Sequence, residues 1–321
     1  WLTQASKGRE NTLKHLQAHL QAAVDLEFWT IPFYMSAMYS VVDRTSGAVQ
    51  LIQTIVNQEM LHVQLAANIA NSFGLSPDFK VPVYEGTKIP HLDFALDHPD
   101  PRPHFRPHSA EIGPLDERRI NAMCLIEYPE WKNVQQSYMP DTVREYGSIC
   151  PYYDAIQYGA TLLKTHIRGG VNQVDHFAPF YNAMPQLTVT DSGAASLNQV
   201  ILLINTIREQ GEGAAKKYPE LPSHYQNTAD DGSPSLPHFT KFKQIRDAGP
   251  MPLTYPVKDP GSWTGRDHVI QDGLVDTFTR FRAALAELFA GRNPPDFVPL
   301  MISVGAGIQN CWKNGVPPRF G

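Results

Sequence analysis

The sequence predicts a mostly α-helical protein, and three observations support this fold class. Apolar residues recur at intervals of three and four along most of the chain, as they do on the buried face of an α-helix. The alternating apolar and polar pattern of β-strands is almost absent. The segments between the periodic stretches are rich in glycine and proline, of which the 321 residues include 22 and 27, and these residues are typical of helix ends and turns.

The first two predicted helices form an antiparallel hairpin. The first covers about residues 11–42, and the second runs from a polar break at 43–48 to about Phe73. Gly74 and the segment LSPDF that follows it are a stop signal for the second helix. Because the connection is so short, we expect the two helices to lie side by side. The apolar positions of the first helix are Leu13, Leu16, Leu20, Val24, Phe28, Ile31, Met35, Met38 and Val42.

An irregular excursion over residues 75–114, rich in Pro, His and Asp, follows the hairpin. A loop of this length is often functional, for example as a lid or as a wall over a site. We divide the chain into a bundle over 1–247, which includes this excursion, and a C-terminal helical extension over 248–321 that packs on it. After the excursion, helical periodicity predicts helices at about 115–127, 148–166, 195–212, 238–245, 267–290 and 296–313.

The composition excludes several classes of protein. A net charge of −5 and 18% charged residues give no electrostatic reason to expect nucleic acid or an anionic membrane as a partner. No apolar run approaches the roughly 20 residues of a membrane span. The three cysteines are odd in number and widely spaced, so we expect no zinc site and no disulfide framework but a reducing, cytoplasmic compartment. Because the chain begins at Trp1, removal of a leader before that residue stays open.

Glu27, Glu59 and His62 interrupt otherwise apolar helix faces. Counted from the turn near Thr45, Glu27 lies 18 residues before it, and Glu59 and His62 lie 14 and 17 residues after it. At about 1.5 Å per residue these separations are roughly 27, 21 and 26 Å, so all three residues reach one level of the hairpin. Residues at i and i+3 share a helix face, so Glu59 and His62 can both point at Glu27.

Two interpretations fit this arrangement. An ionised carboxylate buried without a partner is too costly to keep, and a divalent metal ion would offset the cost. A Glu-x-x-His pair on a bundle helix, facing further carboxylates, is the ligand pattern of di-iron carboxylate proteins. The alternative is a buried Glu–His ion pair that ties the two helices together and needs no metal.

The second half of a symmetric bundle would supply further ligands. The segment that starts at Glu145 aligns without gaps on the segment that starts at Glu27, although Gly147 and a probable N-cap at Ser148 place Glu145 before its helix. The segment LINTIREQGE (203–212) resembles LIQTIVNQE (51–59). The further candidate ligands are therefore Glu145, Glu209, Glu212 and His238. Glu127, in the segment CLIEYPEW, is another carboxylate that we expect to be buried, and we expect a structural role for it.

Five segments together resemble one known family. They are LEFWTIPFYMSAMYSV, QEMLHVQLAANIANSFG, SICPYYDAI, REQGEG and HFTKFKQI, in this order within about residues 11–247. They resemble the ferritin-like family named for iminophenyl-pyruvate dimer synthase, which includes the enzymes that couple two aromatic 2-imino acids in violacein and chromopyrrolic acid biosynthesis. The resemblance implies a ferritin-like four-helix bundle with long irregular insertions and extra C-terminal helices. It also implies that Glu27, Glu59 and His62 are metal ligands. Glu209 and His238 lie in two of the other resembling segments, REQGEG and HFTKFKQI.

These observations predict a non-haem metal enzyme of specialised metabolism with one or two iron ions. We expect it to act on a small molecule, an aromatic 2-imino or 2-oxo acid or a related compound, by oxidation or oxidative coupling. The alternatives are a di-iron oxygenase or oxidase with an unrelated substrate and a non-catalytic metal- or ligand-binding protein. A homodimer is one expectation for the assembly. Haem is not expected, because the Cys150-Pro151 pair occurs too often by chance to indicate it.

Overall fold

The computed structural model describes residues 2–129, 145–177, 187–211 and 236–321, with side chains from residue 12 onward. Within these ranges the chain forms eight α-helices and no β-strand, which confirms the predicted fold class. The helices are α1 (Leu2–Ser40), α2 (Gly47–Ser72), α3 (Glu117–Ile126), α4 (Ile149–Leu162), α5 (Leu197–Gly211), α6 (His238–Asp247), α7 (Gly265–Phe289) and α8 (Phe297–Lys313).

The helices are arranged in three groups. Helices α1, α2, α5 and α4 form a bundle in which each packs against the next, and α4 closes it against α1. Helices α3 and α6 pack on each other, and α6 also contacts α2. Helices α7 and α8 form a second hairpin that packs on the outside of α1. The candidate site described below lies where the bundle meets α3 and α6.

Local sequence signals explain where the second helix of the first hairpin begins and ends. Ser46 lies in the extended conformation before α2, and its side chain accepts a hydrogen bond from the backbone N–H of Val49, which caps the helix start. Gly74 follows the end of α2 with φ +76°, a conformation that glycine adopts without steric cost. Along α2 nearly every residue from Gln58 onward is buried, so this helix lies in the interior of the molecule.

Two boundaries differ from the sequence-based prediction. Helix α1 begins at Leu2 rather than near residue 11, because the polar residues at its start carry no apolar periodicity from which to predict a helix. Helix α4 ends at Leu162, and a short 3₁₀ turn at Lys164–His166 follows it. Residues 75–114 form the predicted irregular excursion, whose regular parts are two 3₁₀ turns at Phe94–Leu96 and Arg102–Phe105.

The C-terminal helices are fastened to the bundle by buried side chains. Trp312 of α8 is fully buried, and its indole N–H donates a hydrogen bond of 2.8 Å to the carbonyl of Ser36 in α1. Phe278 of α7 stacks on Phe28 of α1, with ring centroids 5.7 Å apart. The proposed division of the chain at residue 247 stays a prediction. None of the helices, in the part of the chain that the structure describes, is long and apolar enough to cross a membrane.

Candidate metal centre

Three carboxylates and two imidazoles meet inside the protein. Glu27 comes from α1, Glu59 and His62 come from α2, Glu127 directly follows α3, and His238 is the first residue of α6. Each of these five residues has at most 2% of its surface exposed. The first hairpin and two helices that follow much later in the sequence therefore bring carboxylate oxygens and imidazole nitrogens to one buried point.

The first hairpin supplies three of the five groups, as its spacing predicts. The Nδ1 atom of His62 lies 3.5 Å from Oε2 of Glu27 and 3.7 Å from Oε2 of Glu59. The depth of each residue along the hairpin, predicted from helix rise, therefore agrees with the proximity of the three side chains. Their proximity does not yet distinguish a metal site from an ion pair.

His238 and Glu127 complete the cluster from the opposite side. Nδ1 of His238 lies 2.9 Å from Oε1 of Glu59 and 3.6 Å from Oε2 of Glu127. The imidazole rings of His62 and His238 are stacked, with centroids 5.3 Å apart. Glu59, His62 and His238 each offer a ligand atom, and these atoms lie within 4.8 Å of one another.

Two glutamines fix the orientation of the imidazoles. Nε2 of His62 lies 3.0 Å from the side-chain oxygen of Gln210, and Nε2 of His238 lies 2.8 Å from that of Gln58. Because an amide oxygen only accepts hydrogen bonds, each ring carries its proton on Nε2 when neutral. In both rings the Nδ1 lone pair then faces the carboxylates, which is how metal-binding histidines are commonly held.

Hydroxyl groups hold the three carboxylates. Tyr153 of α4 donates a hydrogen bond of 2.6 Å to Glu27, and Tyr34 of α1 donates one of 2.7 Å to Glu127. The Thr30 hydroxyl donates to Oε2 of Glu59 at 2.8 Å. Each carboxylate thus has one donor that fixes its plane. The residue after Gln210 is Gly211, where a Cβ atom would come within 3.0 Å of Oε2 of Glu127.

The electrostatics of the cluster show a shortage of positive charge. Burial opposes a charge on His62, but the charges and hydrogen bonds of Glu59 and Glu27 together outweigh it and raise the pKa of His62 to about 10. Burial likewise opposes a charge on His238, and the charge of Glu127 raises its pKa. Burial raises the pKa of Glu27, whereas the charge of His62 lowers that of Glu59 despite burial. Three carboxylates therefore draw protons onto the imidazoles wherever no other cation compensates them.

The residues fit a transition-metal ion. Nδ1 of His238 is buried and faces two carboxylates, 2.9 Å from Oε1 of Glu59 and 3.6 Å from Oε2 of Glu127, so a cation bound there could be shared by the imidazole and both carboxylates. Carboxylate oxygen together with imidazole nitrogen suits iron, manganese or zinc, and a cluster of this kind lacks the thiolates that softer metals prefer. The cysteines of the chain, Cys124, Cys150 and Cys311, are all buried.

Three further residues are predicted as ligands, namely Glu145, Glu209 and Glu212. Glu145 is exposed and precedes α4, so the structure does not bring it to Glu27. The two aligned segments both contain a helix, but Glu27 lies inside α1 whereas Glu145 lies before α4 begins. Glu209 is buried on α5, where burial raises the pKa of its carboxyl to about 7, and the three ligand atoms that lie within 4.8 Å of one another belong to other residues. Glu212 lies outside the described residues. The ligand roles of all candidate residues stay predictions.

Sequence reasoning missed several residues around the site. Glu127 was assigned a structural role, because nothing in its local sequence indicates that α3 ends at the carboxylates of the first hairpin. Tyr34 and Tyr153 have the apolar neighbours of ordinary core residues. The one available signal was polarity within apolar helices: Gln58 and Gln210 lie next to predicted ligands on buried helix faces.

Comparison with known proteins supports the same fold. The family profile described as Ferritin-like matches residues 20–247. Over its whole length the chain is similar to a ferritin-like protein from Caulobacter vibrioides of known crystal structure, with 40% identity and a TM-score of 0.84. The match covers 96% of this chain and 98% of that one. Among curated proteins no match is found. The chain belongs to the ferritin-like family.

Proposed function

We propose that the cluster binds iron, as one or two ions, and that the protein is a non-haem metal enzyme that oxidises a small organic molecule. The observation that carries this proposal is the convergence of three carboxylates with two imidazoles whose Nδ1 atoms are turned toward them by Gln58 and Gln210. A single Glu–His ion pair would need neither a second imidazole nor two further carboxylates at the same point.

In this proposal Glu59, His62 and His238 would hold the metal, and Glu27 and Glu127 would serve as further ligands. Bound iron would supply redox chemistry and a Lewis acid. The chain's own residues do the rest: the glutamines keep the proton on Nε2 of each imidazole, and Tyr34 and Tyr153 hold hydroxyl protons at the outer carboxylates. Burial of the cluster keeps bulk water away from it.

For the substrate we propose an aromatic 2-imino or 2-oxo acid, or a related compound, that is oxidised or coupled. The support is the resemblance of five segments in residues 11–247 to the enzymes of the iminophenyl-pyruvate dimer synthase type, together with the family match over 20–247. Fold alone does not determine a reaction, so this part of the proposal depends on a direct assay.

The test compares iron-loaded native protein with a ligand variant and a matched control. Glu59→Gln keeps the size of the side chain and removes its charge, whereas His19→Gln alters a fully buried histidine of α1 that contacts His15 and Tyr146 instead of the cluster. We expect oxygen consumption with phenylpyruvate or its imine in the native protein and in His19→Gln, and at least a tenfold loss in Glu59→Gln. Equal consumption in all three proteins would refute the proposal.

A second candidate is a metal-binding protein without turnover. The observation that favours it is the burial of the cluster, since none of its five residues has more than 2% of its surface exposed. The same assay separates the two candidates. Iron retained by the native protein and lost in Glu59→Gln, with no oxygen consumed by either, would select the binding protein over the enzyme.

A further inference from the structure

A second site lies on the far side of the first hairpin. A cavity of about 320 Å³ opens between α1 and α2 on one side and α7 and α8 on the other. Met60 lines this cavity, and its neighbour Glu59 belongs to the metal cluster. Successive residues of a helix point about 100° apart, so the two sites lie on different faces of α2. The cavity is therefore not the metal centre.

The wall of the cavity is mostly apolar and adaptable. Aromatic rings of α7 and aliphatic side chains of α1 and α8 form much of it, and its volume lies within the range of small-molecule sites. Methionine side chains are flexible and polarisable, and they adjust to the shape of an occupant. Half of the eight methionines of the chain line this one cavity, and they are Met35, Met38, Met60 and Met301.

One charged residue stands at this apolar wall. Arg44, in the turn between α1 and α2, is the one charged side chain among the described residues that line the cavity. The phenol of Tyr39 is the other ionisable group among them. Its guanidinium lies over the ring of Tyr39, 4.6 Å from the centroid, and donates a hydrogen bond to the carbonyl of Met38. No carboxylate among the described residues forms an ion pair with it. The guanidinium is thus held in place and still has N–H groups that these contacts do not use.

This combination selects the chemical class of the occupant. A guanidinium presents a planar pair of N–H donors that matches a carboxylate. A phosphate would need more positive charge than one arginine offers, whereas a wholly apolar molecule would leave the arginine unused. We propose that the cavity binds a monocarboxylate with an apolar tail or ring, with the carboxylate on Arg44 and the tail among the methionines.

Gly305 of α8 makes room for this arrangement. A Cβ atom at this position would lie 2.7 Å from the hydroxyl of Tyr39 and 3.3 Å from its Cζ, so the ring of Tyr39 rests against bare helix backbone. Because Arg44 lies over that ring, a side chain at position 305 would displace the aromatic support of the guanidinium. Gly305→Ala should therefore weaken carboxylate binding without removing any ligand-contacting group.

The first experiment titrates the full-length protein with octanoate and with octanol by calorimetry. We expect native protein to bind octanoate at least tenfold more tightly than octanol, and Arg44→Gln to lose this preference while it still binds octanol. Arg280→Gln, which changes an exposed arginine of α7, should behave as native. Equal binding of octanoate and octanol by native protein, or binding of neither, would overturn the proposal.

The second experiment needs no variant and so does not depend on folding of one. With ¹³C-methyl-labelled methionine, octanoate should shift the signals of Met35, Met38, Met60 and Met301 but leave those of Met123 and Met251, which lie outside the cavity. Shifts that depend on protein concentration instead of on octanoate would mean that a second copy of the chain covers the cavity, and they would refute the proposal. Neither experiment requires the metal centre to be loaded.

Discussion

Two amide side chains control the site at the scale of single residues. Gln210 and Gln58 each accept from Nε2 of one imidazole, and this determines which nitrogen can bind a cation. An outer contact of this kind commonly contributes a factor of about 10–100 to metal affinity. The glutamines are therefore as much a part of the proposed site as the histidines.

Replacement of Gln210 tests this role. Gln210→Leu keeps the approximate size of the side chain and removes the acceptor, so His62 should no longer be held in one tautomer and orientation. We predict an affinity for Fe²⁺ lower by about 10–100-fold, measured by competition with a chelating dye. Gln199→Leu, on the same helix but bonded to the loop at Thr190, serves as the control, and an equal loss in both variants would contradict the assignment.

The tyrosine at Glu27 should stabilise the metal-free protein. Tyr153→Phe removes the hydroxyl that donates to a fully buried carboxylate. A buried acceptor left without its partner costs about 1–3 kcal/mol, and we expect the free energy of unfolding in denaturant to fall by that amount. Tyr158→Phe changes a more exposed phenol of the same helix, and it should change the stability far less; a comparable effect would argue against a special role for Tyr153.

The sequence indicated four of the five residues of the cluster as candidates and missed the fifth, for a physical reason. Glu27, Glu59 and His62 lie on two consecutive helices, so helix rise and a short turn determine their relative depth. Glu127 and His238 depend on how α3 and α6 dock, and no local pattern encodes that docking. His238 is a candidate because it is the nearest imidazole after the second-half segment, and the resemblance includes its segment as well, whereas Glu127 is recognisable only beside His238.

At the scale of elements, the helices were predictable because their apolar faces and end signals agree. Pro32 is an instructive exception: it lies within α1 and removes one backbone hydrogen bond, yet the helix continues to Ser40. Packing against α2 and α8 maintains it there, and this tertiary support cannot be read from residues 27–38 alone. The start of α1 was missed because its polar residues have no apolar stripe.

The N-terminus of α7 should give the protein an acid-dependent contribution to stability. Asp267 accepts from the backbone and hydroxyl of Thr264 and pairs with Lys258 at 2.7 Å. The hydrogen bond from Lys258 lowers its pKa from the ordinary value of 3.8 to about 2. Since the folded-state pKa is the lower one, the contribution is complete above about pH 4 and is lost as pH falls through 2.

Asp267→Asn should therefore melt at a lower temperature than native protein at pH 7, and the difference should shrink between pH 4 and 2. Thermal unfolding followed by circular dichroism over this range measures it. Asp276→Asn, an exposed position of the same helix, should show no such dependence. A difference from native protein that stays constant down to pH 2 would mean that Asp267 acts through its shape and not through its charge.

At the scale of the whole molecule, the C-terminal hairpin is bound to the bundle that carries the site. Trp312 joins α8 to α1 through its buried ring and its hydrogen bond to Ser36. Trp312→Phe should lower the free energy of unfolding by about 1–3 kcal/mol, because the carbonyl of Ser36 loses a buried donor. Trp263→Phe, at a less buried ring outside the bundle, is the control, and denaturant titration of both variants decides.

Apolar periodicity predicts the helices of the described ranges, but no local pattern predicts how α3, α6 and the α7–α8 hairpin pack around the first hairpin. Long-range packing decides which buried polar residues become neighbours. For that reason the likeness of residues 203–212 to residues 51–59 does not by itself show whether Glu209 reaches the cluster.

The central claim is that a metal ion is bound by carboxylates and imidazoles inside the bundle. An anomalous difference map recorded at the iron absorption edge, from crystals of iron-loaded protein, tests it most directly. We expect a peak about 2.0–2.2 Å from ligand atoms of Glu59, His62 and His238, with Glu27 and Glu127 beside it. A map with no peak there, in which the same side chains bind only one another, would contradict the claim.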